Sequence, residues 1–118
     1  MAARELPRFI AVQSVRSDRA PDFEAFVTGE LAPAVKRAKP QLANQWQAVR
    51  ASAVDSESGD TVYVALFYGD AELHEWDLRK LWTDAENAQD AADMDDKFES
   101  FLNSPQVVYS FDAELPIT

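Results

Sequence analysis

The 118-residue chain contains no cysteine, one histidine (His74) and three glycines. The first absence removes disulfides, thiolate metal ligands and cysteine nucleophiles. One His and no Cys also leave too few ligands within one chain for a zinc or non-haem iron site of the usual kind. Gly29, Gly59 and Gly69 lie far apart and open no GxGxxG or Walker pattern. A phosphate cradle needs clustered glycines whose N–H groups converge, so the usual nucleotide sites are excluded. No cofactor is expected. No apolar run approaches the ~20 residues of a membrane span. The opening Met-Ala-Ala-Arg-Glu-Leu-Pro-Arg lacks the apolar centre of a secretory signal, so the expected location is the cytoplasm.

Cations are scarce as well. Eleven Lys and Arg face 21 Asp and Glu, a net charge of −10. Residues 1–50 carry +3 and residues 51–118 carry −13. Binding to a polyanion depends on released counterions, so nucleic acid is not an expected partner. The acidic half reads as a solvated helix face. Asp93, Asp95, Asp96 and Glu99 imitate a calcium cluster, but they lack the loop glycine and sit in a helical pattern. Tyr63 and Phe67 imitate the aromatic spacing of an RNA-binding sheet, yet no Lys or Arg accompanies them, and they read more simply as core.

The composition is otherwise that of a globular domain, 47% hydrophobic and 27% charged, and the length fits one domain over 1–118. Residues 8–16 are apolar and partly β-branched and predict a first strand. Pro21 suits the first helical position, Asp22 and Glu24 the first turn, and Lys36, Arg37 and Lys39 the last. A helix is therefore predicted over 21–39, with a kink where Pro33 cannot donate to the Gly29 carbonyl. Residues 44–54 predict a second strand. Asp55-Ser-Glu-Ser-Gly-Asp60 is a turn, and 61–68 a third strand, so the two form an antiparallel hairpin. From Asp70 to Ser104 there is neither Gly nor Pro, which predicts one long helix or two with a break near Thr83-Asp84. Residues 106–112 predict a fourth strand.

This order is βαββαβ, the split βαβ or ferredoxin-like α+β arrangement: a four-stranded antiparallel sheet with helices on one face. Both strand faces are apolar. Val62, Val64 and Leu66 alternate with Tyr63, Ala65 and Phe67, and Val107, Tyr109 and Phe111 with Val108 and Ser110. The face without helices would be a large exposed apolar patch. A homodimer packed sheet to sheet covers it, with Leu115, Pro116 and Ile117 crossing the partner.

For chemistry, His74 is the residue to single out, because imidazole alone titrates near neutrality without a large shift. Its spacing to Leu78 and Leu81 places it on an apolar stripe, and it is read as a catalytic proton carrier or hydrogen-bond donor. Tyr68 and Trp76 lie near it as wall residues of an apolar ligand cavity between sheet and helices. Arg50 would be a cavity cation if its strand face points inward, and otherwise an edge Arg. The alternative is a structural His74 amid core aromatics.

Two segments carry a family resemblance. Phe26-Val-Thr-Gly-Glu-Leu-Ala-Pro33-Ala-Val resembles the first-helix segment of the EthD-like group within the dimeric α+β barrel superfamily. Leu81 to Asp93, followed by Phe98, resembles that group's segment between second helix and last strand. Leu31 stands where the group has its His, so any role of that His is absent. The superfamily's haem-degrading and quinone-forming monooxygenases are a further analogy, but no Trp in strand three matches their Asn–Trp–His set. The resemblance implies a homodimer with a small-molecule pocket. It also implies a protein acting, as a cofactor-free monooxygenase- or cyclase-like enzyme, on a small aromatic or polyketide-like compound. The alternative is a non-catalytic dimeric domain binding a ligand or protein.

Overall fold

A computed structural model describes residues 6–77 and 88–117. Four strands form one antiparallel sheet in the order β2-β3-β1-β4: β1 Phe9–Val15, β2 Trp46–Arg50, β3 Thr61–Phe67 and β4 Val107–Ser110. The helical layer is α1 Ala20–Phe26, α2 Ala32–Ala38 and α3 Ala88–Phe101. This is the ferredoxin-like α+β fold that the element order predicted. Among the described residues no helix is long and apolar enough to cross a membrane.

Period-two alternation decides what faces the helices. On β1, Phe9, Ala11, Gln13 and Val15 are buried against them. Register places Tyr63 opposite Gln13 and Ala65 opposite Ala11. Aromatics from α1 and α3 close the layer. Phe23 meets Tyr63 at 4.8 Å and Phe101 edge-on at 5.6 Å, and Phe26 meets Phe101 at 5.5 Å. Tilted and edge-on pairs of this kind add about 0.5–1.5 kcal/mol each to the area they bury. The opposite sheet face carries Ile10, Val12, Val62, Val64 and Leu66, none of which belongs to the hydrophobic core or packs against it.

The helix predicted over 21–39 is interrupted by a π-turn, Val27–Leu31, instead of a simple kink. The Ala32 N–H reaches the Val27 carbonyl, five residues back. One extra residue per turn opens the spiral directly before Pro33, whose ring and missing N–H do not fit an α-turn there.

The second strand is shorter than predicted, ending at Arg50 instead of Val54. The turn beyond is held by Asp55, whose Oδ1 accepts the Glu57 and Ser58 N–H groups at 2.9 Å each, while Gly59 takes φ +74°. The hairpin is fastened to the rest of the domain by Asp60. Its buried carboxylate accepts from Asn103 Nδ2 at 3.0 and 3.2 Å, and the Asn103 N–H donates to the Ser14 carbonyl.

A continuous helix from Asp70 is corrected. Gly69 sits at φ +83° with the Gln45 side chain against its Cα, where a Cβ would collide. A capping box between Glu72 and Glu75 then starts a single 3-10 turn, Leu73–Trp76, which stops at extended Asp77. The expected break at Thr83-Asp84 lies outside the described residues.

Candidate functional site

A cavity of about 230 Å³ lies between the sheet and the α1–π–α2 stretch. Strand alternation brings Ala48, Tyr63 and Ala65 to its sheet side, and helical spacing brings Phe23, Val27, Leu31 and Val35 to its roof. Trp46, Phe67 and Trp76 wall one end, with the Phe67 and Trp76 rings 4.7 Å apart. Most of the lining is apolar. Two places are not.

The first is a cluster of Glu24, Tyr63 and Arg50. Glu24 Oε2 accepts from the Tyr63 hydroxyl at 2.6 Å and from an Arg50 guanidinium nitrogen at 2.7 Å. Glu24 comes from α1, Arg50 from edge strand β2, and Tyr63 from β3 directly opposite Arg50. Their exposure is graded. The Glu24 and Arg50 side chains are 41% and 60% exposed, whereas Tyr63 is 4% exposed. The cluster is therefore the mouth of the cavity, with a buried phenol behind a surface ion pair. The Tyr63 hydroxyl and then the Arg50 guanidinium hold the Glu24 carboxyl below its ordinary value. Burial, reinforced by donation to Glu24, pushes Tyr63 up to about 12. Glu24 in turn raises Arg50 further. At neutral pH the cluster is a carboxylate, a guanidinium and a neutral phenol, with no net charge.

The second polar place is Gln13 on β1, whose Nε2 donates to Gln106 Oε1 at 2.8 Å just before β4. Gln13 is buried, so its amide is fixed in the cavity floor. Trp76 is buried as well, and its indole N–H has no hydrogen-bond partner among the described residues.

Of the residues singled out in the sequence, Arg50 and Trp76 line this cavity. Arg50 is both an edge residue and a cavity cation. His74 and Tyr68 do not line it. His74 is exposed, because the short 3-10 turn directs Trp76 to the interior in its place. The placement of His74 inside the cavity is thus corrected. Tyr68 follows Phe67 in alternation, and Phe67 already faces the helices. Sequence reasoning missed Glu24, which passed as a helix-dipole residue, and the hydroxyl of Tyr63, which passed as core. Among the described residues no group of three His, Asp or Glu could hold a metal ion.

No protein-family profile matches the chain, and no curated protein is significantly similar to it. The fold is similar to that of the Arabidopsis thaliana protein At3g17210, with TM-score 0.52 and 11% identity over 93% of this chain and 97% of that one. Two weaker likenesses are a monooxygenase from the Streptomyces coelicolor gene ActVA-Orf6, solved with nanaomycin D, and a candidate antibiotic biosynthesis monooxygenase from Bordetella bronchiseptica. The first has TM-score 0.48 and 12% identity over 95% of this chain and 94% of that one. The second has TM-score 0.47 and 18% identity over 95% and 100%. At these identities the likeness is one of fold.

Proposed function

We propose that this protein binds a small aromatic, polyketide-like compound of one or two fused rings in the cavity between sheet and helices. The observation that carries the reading is the lining: aromatic and aliphatic walls, with hydrogen-bonding groups concentrated at the Glu24–Tyr63–Arg50 mouth and the Gln13–Gln106 floor. Ligand sites are typically apolar cavities with a few placed polar groups. A volume of about 230 Å³ is below the ~300–1,000 Å³ of drug-sized sites, which sets the ring count.

Between an enzyme and a binding domain, the charges favour binding. Glu24 is held below its ordinary value, Tyr63 above its own and Arg50 higher still, which makes each a poor proton-exchange partner near neutrality and suits the cluster to orienting and polarising a ligand. Monooxygenase- or cyclase-like turnover would rest on the reactivity of the compound itself. Leu31 lines the cavity at the position of the EthD-like His and offers only packing. The working form we propose is a cytoplasmic homodimer, with the apolar outer sheet face as its interface.

Calorimetric titration with naphthalene tests the reading. The wild type should bind it, and Ala48→Phe, which projects a ring into the cavity from exposed strand β2, should abolish binding with the melting temperature kept. No binding by the wild type, or undiminished binding by the variant, overturns the proposal.

A further inference from the structure

Resting on the cavity reading above, we infer that the Glu24–Arg50 pair makes the mouth selective for a neutral phenol and rejects anionic aromatics of the same shape. The pair is only half used by the protein. Glu24 spends Oε2 on two donors, while its Oε1 accepts nothing among the described residues. Arg50 meets Glu24 through a single guanidinium nitrogen and lines the cavity, so its fork has further N–H donors to offer. Guanidinium carries five such donors and carboxylate about four acceptor positions. A hydroxyl entering between them can donate to Glu24 Oε1 and accept from Arg50 at once, which one neutral phenol does and no carboxylate can.

Charge gives the same answer. An anion drawn to Arg50 must also sit beside the Glu24 carboxylate, whose like charge repels it and offsets the attraction of Arg50. Arg50 is already neutralised, so the mouth has no cationic surplus to offer. Length is consistent with a ring behind the hydroxyl. Trp46 and Arg50 stand four residues apart on β2, about 13 Å at about 3.3 Å per residue. A naphthalene-sized frame fits between the polar mouth and the Trp46–Phe67–Trp76 wall.

Naphthol, naphthoate and naphthalene share one ring system and differ only in the group offered to the mouth. In calorimetric titrations at neutral pH the wild type should bind naphthol about tenfold more tightly than either of the others, the equivalent of one net hydrogen bond. Glu24→Gln leaves Arg50 without its counter-charge, so naphthoate should gain about tenfold and overtake naphthol. Arg50→Gln should weaken naphthol and leave naphthoate unbound. Glu24 is half-buried and Arg50 largely exposed, and thermal melts confirm that the variants fold. Equal affinities for the three compounds, or tighter naphthoate binding by the wild type, refute the selectivity while the cavity reading stands. An unchanged preference in Glu24→Gln refutes the role of Glu24. If none of the three binds, the cavity reading falls and this inference falls with it.

Discussion

Tyr63→Phe removes one oxygen from the mouth of the cavity and should change how the protein responds to alkali. The Tyr63 phenol is 4% exposed and donates to Glu24 at 2.6 Å. Both burial and that bond favour its neutral form, and its pKa rises from 10.0 to about 12. The folded state therefore holds this proton more tightly than the unfolded chain does. Its contribution is fully present below pH 10 and is lost as pH rises through about 12. At about 1.4 kcal/mol per pKa unit, the contribution is roughly 2–3 kcal/mol. Urea midpoints taken stepwise from neutral to strongly alkaline pH should show the wild type losing about that much more stability than Tyr63→Phe. The variant starts lower by about 1.5–3 kcal/mol, having lost a hydrogen bond to a charged group. Subtracting the two curves removes Lys and the other groups they share. Phenolate absorbance is an independent readout, because Tyr63 should ionise near pH 12, and that step should be missing from Tyr63→Phe. Parallel stability curves, or no phenol ionising near pH 12, would show that Tyr63 is neither buried nor bonded as described.

Two further outcomes test other joints of the molecule. Asp60→Ala removes the buried acceptor that joins the hairpin to Asn103, and should lower unfolding stability by about 1–3 kcal/mol in urea. An unshifted midpoint would mean that the clasp is not stabilising. Val64→Lys places a charge at the centre of the outer sheet face. Sedimentation should show a dimeric wild type and a monomeric variant, and removing the chain beyond Asp112, with exposed Leu115 and Ile117, should weaken the dimer. A monomeric wild type at micromolar concentration refutes that interface.

The fold was readable where local chemistry and long-range packing agree. Val62, Val64 and Leu66 alternating with Tyr63, Ala65 and Phe67 could only be a strand covered on both faces, and the polar Asp55–Asp60 stretch could only be a turn. The π-turn was not readable, because Gly29 and Pro33 announce a disturbance without fixing how it is relieved. The stop at Asp77 was hidden for a related reason. Glu72 and Glu75 look like ordinary helix residues until they bond each other's backbone. The site was harder still, since its bonds join residues 26 and 39 apart in sequence. Even a correct hairpin misleads here. A turn closed by the Asp55–Asp60 bond and continued straight would set Arg50 opposite Ala65, whereas the ladder sets it opposite Tyr63. The two-residue offset keeps Arg50 on the inner face, which parity alone could supply, but changes its partner.

The distribution of polarity across the sheet links the cavity to the assembly. A one-sided antiparallel sheet ordinarily turns apolar residues to its helices and polar residues to water. Here Gln13, Arg50 and Tyr63 share the helix side, while Ile10, Val12, Val62, Val64 and Leu66 share the side that no described helix covers. Buried polar groups without partners are destabilising, and the inner three are each bonded: Gln13 to Gln106, and Arg50 and Tyr63 to Glu24. An extended apolar outer face marks a surface on which another apolar surface docks. A second copy paired as proposed would offer such a surface and leave both cavities free, because the sheet would lie between that interface and the polar mouth. Binding at the mouth and pairing at the back are then physically independent. A charge at Val64 that splits the dimer should leave naphthol affinity unchanged, provided each monomer stays folded.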